Sequence, residues 1–244
     1  MIVNDLWAAV ILMVYYLVGL VTLPTILKVR TRLPGEVIRK IQHVGYSLSI
    51  FILLKLFSTW YLAVAAAFLL VLLAYPALFL LERTAVYKKL FVDRAGRGGE
   101  LRKQLVYVQV SFAILIFLFW GLLGAKWHYM VVLAVLTWGF GDAAAALVGK
   151  FFGRITIVHR WVEGAKTLEG TAAMSAAAFL VIIMILFAYS GLPWFICLAV
   201  ALVAAPICGA VELFSRRGTD TLTVPLAAAV LIFPLVYLFS CVGW

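Results

Sequence analysis

The sequence predicts an all-α, polytopic integral membrane protein with about eight transmembrane helices. Of its 244 residues, 66% are hydrophobic and 12% are charged, and the mean hydropathy is +1.15. A soluble domain is about half apolar and a quarter charged, so this composition excludes a water-soluble globule and a disordered chain. The net charge of +10 would suggest nucleic acid as the partner of a soluble protein. In a membrane protein, basic residues belong first to the loops that set orientation, so no nucleic-acid partner is expected.

Eight apolar runs approach the roughly 20 residues that a helix needs to cross the hydrocarbon core of a bilayer. The second run is the shortest and has His43 and Lys55 near its ends, so we expect it to be tilted, split or joined to an interfacial turn. We find no second domain and no internal repeat, and we predict one membrane-embedded domain over residues 1–244. The predicted spans are 6–27, 42–57, 59–81, 105–124, 128–149, 171–190, 193–213 and 222–240.

The basic residues predict the orientation of these spans. The segments after the first, third, fifth and seventh spans hold 18 of the 20 Lys and Arg residues, and the alternate segments hold only Lys55 and Lys126. Because basic loops stay in the cytoplasm, we expect the charged segments on the cytoplasmic side of the cell membrane and both termini on the outer side. The longest inner segment, 82–104, mixes both charges with aromatic residues and predicts a basic amphipathic helix on the bilayer surface.

Two carboxylates lie where a lipid-facing helix would not tolerate them. Asp142 falls within the fifth span and Glu212 closes the seventh. A charge in the apolar layer costs at least ~2.5 kcal/mol, so each carboxylate should face a polar cavity or a cation. We interpret Asp142 as functional. For Glu212, an ion pair with Arg216 four residues later is an equally good interpretation.

Two stripes of residues run along the predicted fifth helix. The first contains small residues at every fourth position: Gly141, Ala145, Gly149 and Gly153. The second runs from a carboxylate to two cations: Asp142, Ala146, Lys150 and Arg154. The first stripe lets another helix or a ligand approach the backbone. The second suits a polyphosphate bridged by Mg²⁺, with the carboxylate on the metal and the cations on phosphate oxygens. Helix packing with snorkelling cations is the alternative.

The segment before the sixth span contains residue types that bind phosphate. Lys166 and Thr167 lie between Gly164 and Gly170, which places an ammonium and a hydroxyl in a flexible stretch. If Thr167 begins a helix with free N-terminal amides, the segment predicts an anion site. The glycine spacing of a Walker A loop is missing. Such a segment is otherwise an ordinary interfacial helix start.

Two further clusters carry candidate chemistry. On a helix, Arg39, Lys40 and His43 converge at the entrance to the second span, where they can bind phosphate or place an imidazole as a base beside a hydroxyl. A topological anchor is the alternative for these residues. Asp220 either caps the eighth helix, with Pro225 in its first turns, or supplies a second ligand for a metal or a ribose.

In order along the chain, these segments resemble the motifs of the integral-membrane polyprenol kinase family. That family groups dolichol kinase, phytol kinase and the CTP-dependent diacylglycerol kinase, and it is related to CDP-diacylglycerol synthase. The resemblance covers about residues 36–226, and the order and spacing of the motifs carry it. The motifs are Arg39-Lys40-x-x-His43, Arg97-Gly98-Gly99-Glu100, Gly141-Asp142 with Ala145, Gly149 and Gly153, Lys166-Thr167-x-Glu169-Gly170-Thr171, Glu212, and Asp220-Thr221-Leu222-Thr223-Val224-Pro225.

The resemblance implies transfer of a phosphoryl group from CTP, with Mg²⁺, to the hydroxyl of a membrane lipid alcohol: a polyprenol, phytol or diacylglycerol. It implies that the single domain is catalytic and that its active site faces the cytoplasm. By this resemblance, the residues of the catalytic site are Arg39, Lys40, His43 and Asp142. The resemblance also assigns Asp142 to the Mg²⁺ site and Lys166 and Thr167 to the nucleotide phosphates. Together with the stripes and clusters above, we expect the nucleotide-binding residues to be Lys150, Arg154, Lys166, Thr167, Glu169 and Gly170, and the metal ligands to be Asp142, Glu212 and Asp220.

Two departures keep other functions open. The family's Asp-Asn pair before Leu-Thr is Asp220-Thr221 here, and Lys166-Thr167-x-Glu169-Gly170 is also similar to the cytidylyltransferase branch, where the kinases often have Lys-Ser. A phosphatidate cytidylyltransferase is therefore the first alternative. A small transporter whose path is lined by Asp142 and Glu212 is the second.

Overall fold

The computed structural model of this chain describes residues 2–84, 87, 99–216 and 218–241. Helices make up nearly all of these residues, and eight helices are long and apolar enough to cross a membrane, which confirms the predicted fold class. These candidate spans are Val3–Arg30, Gly35–Lys55, Trp60–Leu81, Leu101–Leu122, Ala125–Phe152, Leu168–Tyr189, Trp194–Phe214 and Asp220–Cys241.

The chain divides into two compact units, Met1–Leu122 and Leu123–Trp244. Whether they act as one catalytic domain stays a prediction. The described α-helices of the first unit are α1 Ile2–Tyr15, α2 Leu23–Arg30, α3 Gly35–Leu48, α4 Ile50–Lys55, α5 Trp60–Leu81 and α6 Glu100–Ile116. A π-helical segment, Tyr16–Thr22, joins α1 to α2, and a second one, Phe117–Leu122, follows α6.

The second span is split, as one of the sequence-based alternatives expected. The break lies at Ser49, whose hydroxyl donates to the carbonyl oxygen of Tyr46 at 2.7 Å and lies 2.9 Å from the hydroxyl of Tyr16. Helix α3 begins at Gly35, seven residues before the predicted span. The Arg39 to His43 segment therefore lies within a helix.

The second unit is a ring of four helices: α7 His128–Phe152, α8 Leu168–Tyr189, α9 Trp194–Phe214 and α10 Asp220–Cys241. Helix α8 packs against α7 and α9, and α10 packs against the same two neighbours. Because successive helices run in opposite directions, the C-termini of α7 and α9 and the N-termini of α8 and α10 lie at one end of the ring. This end holds most of the candidate site residues.

Most of the predicted surface helix at 82–104 lies outside the described residues, and so do Arg97, Gly98 and Arg217. The described ends of that segment are joined by Glu82. Its carboxylate pairs with the guanidinium of Arg102 at 2.7 Å and accepts the backbone N–H of Gly99 at 2.8 Å. This clamp lies at the start of α6.

Candidate functional site

Three carboxylates come together at one end of the four-helix ring. Asp142 lies in the interior of α7, Glu212 in the last turn of α9 and Asp220 at the first residue of α10. Asp142 and Glu212 are buried, with exposed fractions of 7% and 8%. The charges of Asp142 and Asp220 both act on Glu212 and repel it. Because like charges repel, this arrangement favours a nearby cation, and the sequence predicts a cation or a polar cavity for Asp142 and Glu212.

Lys166 supplies one positive charge to this acidic cluster of Asp142, Glu212 and Asp220. Its ammonium lies 2.9 Å from a carboxylate oxygen of Glu212. It also donates to the carbonyl oxygens of Glu212 and of Ser215, the latter at 3.3 Å. An ammonium has three N–H donors, and here three protein oxygens accept them. A cation beside the last carbonyls of a helix also complements the helix dipole of α9.

The ion pair between Glu212 and Arg216, which the sequence offered as an alternative, is wrong. Arg216 turns away from Glu212 and donates to the backbone carbonyls of Trp161 at 3.0 Å and Arg160 at 2.5 Å. The ion pair of Glu212 is made with Lys166, from a loop 46 residues earlier in the chain. Helical spacing predicted the nearest cation, but the end of α9 directs residue 216 toward the 154–167 loop.

Trp138 is a residue of this site that sequence reasoning missed. Its indole N–H donates to a carboxylate oxygen of Asp220 at 3.4 Å, and its side chain is fully buried. Trp138 lies one helical turn before Asp142, so α7 presents a carboxylate and the donor that orients a second carboxylate. The signal in the sequence was a tryptophan four residues before an intramembrane aspartate.

The donor set of the acidic cluster fits Mg²⁺. Among residues 2–84, 87, 99–216 and 218–241, no three His, Cys, Asp or Glu side chains are arranged to hold a metal ion by themselves. Mg²⁺ does not require such a cage, because at nucleotide sites it is bound by one or two carboxylates together with phosphate oxygens and water. The hard oxygen ligands of Asp142 and Asp220, beside the paired Glu212, are of the right chemical type.

The small-residue stripe of α7 is filled by α8 and not by a ligand. A Cβ atom at Gly141 would collide with the thioether of Met174, and one at Gly153 would collide with the side chain of Thr167. From the other side, a Cβ atom at Gly170 would lie 2.9 Å from the carbonyl oxygen of Ala145. Real Cβ atoms are not found at such distances, so Gly170 is required for the close approach of α8 to the backbone of α7, whereas the neighbour of Gly141 is the movable end of a methionine side chain.

Thr167 begins α8, as predicted, but the N-terminal amides of that helix already have partners. The Thr167 hydroxyl accepts the N–H of Gly170 at 3.1 Å, and the N–H of Leu168 donates to Ile155 at 2.9 Å. The Glu169 carboxylate accepts the backbone N–H of Ile155 at 3.3 Å. This is a capped helix start. Nucleotide binding by Thr167, Glu169 and Gly170 stays a prediction.

The second stripe of α7 is spread along the helix. Lys150 is exposed and lies about 12 Å along the axis from Asp142, since an α-helix rises about 1.5 Å per residue. Arg154 is also exposed, and its charge acts on the carboxylate of Glu169. The structure therefore brings Asp142 to the acidic cluster and leaves the two cations of its stripe in an outer, solvent-accessible zone.

The Arg39, Lys40 and His43 cluster belongs to the first unit. All three side chains are buried, with exposed fractions of 3%, 3% and 4%. The Arg39 guanidinium pairs with Glu36 at 2.5 Å, one helical turn earlier. A topological anchor would expose its charges to the membrane surface, so burial favours the alternative in which these groups serve a polar site.

Comparison with known proteins decides the family. Over 241 residues the chain is 33% identical to a phytol kinase from Synechocystis sp., and the match covers 96% of this chain and 94% of that protein. The chain belongs to the integral-membrane polyprenol kinase family. A dolichol kinase from Schizosaccharomyces pombe is 33% identical over 92 residues, which are 38% of this chain and 18% of that protein. No family model and no solved structure matches the chain.

One position of this chain, Thr221, departs from the motifs of the polyprenol kinase family. Thr221, where the family has Asn, is buried with an exposed fraction of 1%. Within the described part of the chain, its Oγ1 has no hydrogen-bond partner. The position keeps a polar atom next to Asp220, but with fewer hydrogen-bonding groups than an amide would offer.

Proposed function

We propose that this protein is a kinase that transfers a phosphoryl group from CTP to the hydroxyl of a membrane lipid alcohol, with an isoprenoid alcohol such as phytol as the acceptor. The observation that carries this proposal is the match to a phytol kinase over nearly the full length of both chains. The partial match to a dolichol kinase also supports an isoprenoid acceptor over diacylglycerol.

In the proposed reaction, the alcohol oxygen forms a bond to the γ-phosphorus of the nucleotide. The bond from that phosphorus to the β–γ bridging oxygen breaks, and CDP leaves with the bonding electrons. The alcohol proton passes to a base. Catalysis of this reaction consists mostly of positioning and charge neutralisation, because little covalent chemistry is required of the protein.

The acidic cluster is the proposed Mg²⁺ site. Asp142 and Asp220 would hold the ion, and Glu212 would join them when Lys166 is drawn away from it. A bound Mg²⁺ neutralises charge on the β- and γ-phosphate oxygens. The indole N–H of Trp138 donates to the Asp220 carboxylate and would hold it in place as a ligand of the ion.

Lys166 is the proposed ligand of the nucleotide phosphates. Its ammonium now bonds to Glu212 and to the end of α9. A triphosphate carries more charge than one carboxylate, so we expect it to take at least one of these three N–H donors. Thr167, Glu169 and Gly170 would hold the Lys166 loop in place for this exchange, while exposed Lys150 and Arg154 would meet the outer part of the nucleotide.

Arg39, Lys40 and His43, which lie in the first unit, are also part of the proposal. We assign them to the same reaction because of the family motif and their burial. His43 or a carboxylate of the acidic cluster would accept the alcohol proton. The distribution of basic residues supports termini outside the cell membrane and a reaction at the cytoplasmic face.

Product analysis tests the proposal. The purified protein is incubated in lipid with CTP, ATP, GTP or UTP and with phytol, a polyprenol, diacylglycerol or phosphatidate, and the lipids are identified by mass spectrometry. We expect phytyl monophosphate from CTP and phytol. Formation of a CDP-lipid from phosphatidate would show that the protein is a cytidylyltransferase and not a kinase. Solute uptake into protein-containing liposomes, with no lipid product, would show that it is a transporter.

A further inference from the structure

A shallow groove of about 380 Å³ lies beside the acidic cluster, on the outer face of α9 and the start of α10. Its lining is apolar at one end, where Ile207, Ala210 and Phe214 face outward and are exposed. The other end is lined by the hydroxyls of Ser215 and Thr223. From Ile207 to Phe214 the apolar part extends about 10 Å along α9. The groove is therefore amphipathic along its length.

The hydroxyl end offers acceptors and not donors. The hydroxyl of Ser215 lies 2.7 Å from the carbonyl oxygen of Val211, and that of Thr223 lies 3.0 Å from the carbonyl oxygen of Thr219. The two hydroxyls are also hydrogen-bonded to each other at 2.7 Å, with either one as the donor. Each hydroxyl has one hydrogen and two lone pairs, and both hydrogens have protein acceptors. What remains for a ligand is lone pairs, which fit an O–H donor such as an alcohol and do not fit a phosphate ester.

The same end is continuous with the proposed reaction site. Lys166 donates to the backbone carbonyl of Ser215 at 3.3 Å and lies 2.9 Å from the carboxylate of Glu212. A lipid hydroxyl bound at the side chain of Ser215 would therefore lie next to a residue whose backbone carbonyl contacts the Lys166 ammonium, which we assign to the nucleotide phosphates. The apolar end leads away from this cluster along the exposed face of α9.

We propose that this groove binds the acceptor lipid alcohol, with its hydroxyl at Ser215 and Thr223 and its first carbons along Ala210 and Ile207. This inference rests on the proposed function for the identity of the reaction, but the binding of an alcohol can be measured without turnover. At about 380 Å³ the groove is at the small end of ligand sites, so the rest of the hydrocarbon chain extends into the bilayer.

Photo-crosslinking tests occupancy directly. A long-chain alcohol with a diazirine on its first carbons is photolysed with the full-length protein in lipid, and the labelled residues are found by mass spectrometry. We expect labels within 207–215, and we expect excess phytol to remove them. The corresponding monophosphate probe should label the segment less. Labels spread over all the exposed helices, or equal labelling by both probes, would overturn the groove while leaving the kinase activity untouched.

Kinetics provide the second test. Ala210→Phe fills the groove, and we expect the KM for phytol to rise about tenfold, on the scale by which apolar pockets discriminate size. The KM for CTP should not change. Ala199→Phe is the matched control, because Ala199 is also exposed and lies on the same face of α9, about 16 Å away along the helix. Equal KM values for phytol in the two variants would overturn the groove.

A hydroxyl pair provides the finer test. Ser215→Ala should raise the KM for phytol about 2- to 10-fold, as expected for one lost hydrogen bond. Ser240→Ala is its control, since Ser240 also donates to the carbonyl four residues before it, at 2.9 Å, but lies near the other end of α10. A wild-type protein that phosphorylates no alcohol would overturn the proposed function, and crosslinking would still decide the groove.

Discussion

Two neighbouring faces of helix α7 have different roles. The Gly141 face is closed by α8, whose Met174 and Thr167 occupy the space that side chains would need. The adjacent Asp142 face meets the acidic cluster and carries a buried charge. In the sequence both faces are stripes with helical spacing. In α7, the small-residue stripe is therefore part of the packing against α8, and the neighbouring buried charge of Asp142 is the candidate for chemistry.

The largest expected effect belongs to the charged face. Asp142→Asn keeps the size of the side chain and removes its charge, so turnover should fall about 10³-fold, the scale of losing one electrostatic contact to the transition state. Initial rates of lipid phosphorylation measure this, and thermal unfolding in detergent should match the wild type. Asp5→Asn is the control, because Asp5 is another buried carboxylate, bonded to Ser58 at 2.7 Å in the first unit. Wild-type activity in Asp142→Asn would refute the metal assignment.

The next effect belongs to the packed face. Gly170→Val places a Cβ atom 2.9 Å from the carbonyl oxygen of Ala145, and overpacking of this kind costs about 1–3 kcal/mol. We expect Gly170→Val to unfold at a lower temperature in detergent than the wild type. Ala172→Val adds the same side chain to an exposed position two residues later in α8. If the two variants have the same unfolding temperature, the close contact between Gly170 and the Ala145 carbonyl does not limit the packing of α8 against α7.

The smallest effect lies between the two faces, at Trp138. Trp138→Phe keeps the ring and removes the N–H bonded to Asp220, so the Mg²⁺ concentration needed for half-maximal nucleotide binding should rise about 10- to 100-fold. Trp127→Phe, at a buried indole that makes an edge-to-face contact with Phe233 at 4.9 Å between ring centroids, should leave this Mg²⁺ concentration unchanged. In an Asp220→Asn background, Trp138→Phe should have no further effect. If the effects of the two substitutions on the Mg²⁺ requirement add in full, Trp138 does not act through Asp220.

The sequence was sufficient for the fold because its signal is composition and length. Eight apolar runs give eight helices, and even the weak second run was expected to be split or joined to a preceding turn. Helix boundaries were less accurate, because α3 and α7 continue past the apolar residues that defined the predicted spans. A membrane-spanning helix does not end where its hydrophobicity ends.

The site was only partly predictable, because sequence spacing reports neighbours on one helix. Asp142 was recognised since a carboxylate in an apolar helix is costly wherever it points. The partner of Glu212 was not, since Lys166 reaches it from another element. Thr167 lies at a helix start and caps the N–H of Gly170 from within the motif, but the carbonyl oxygen of Ile155 that accepts the N–H of Leu168 lies outside the motif. Long-range contacts of this kind require the folded chain.

The most direct test of the account follows the γ-phosphate of CTP. Wild-type protein and Asp142→Asn are incubated side by side with Mg²⁺, phytol and CTP labelled at the γ-position. For the wild type we expect label in phytyl monophosphate with an equal amount of CDP, and for the folded Asp142→Asn variant we expect no label above background. Label released as pyrophosphate, or transfer at the wild-type rate by Asp142→Asn, would contradict this expectation.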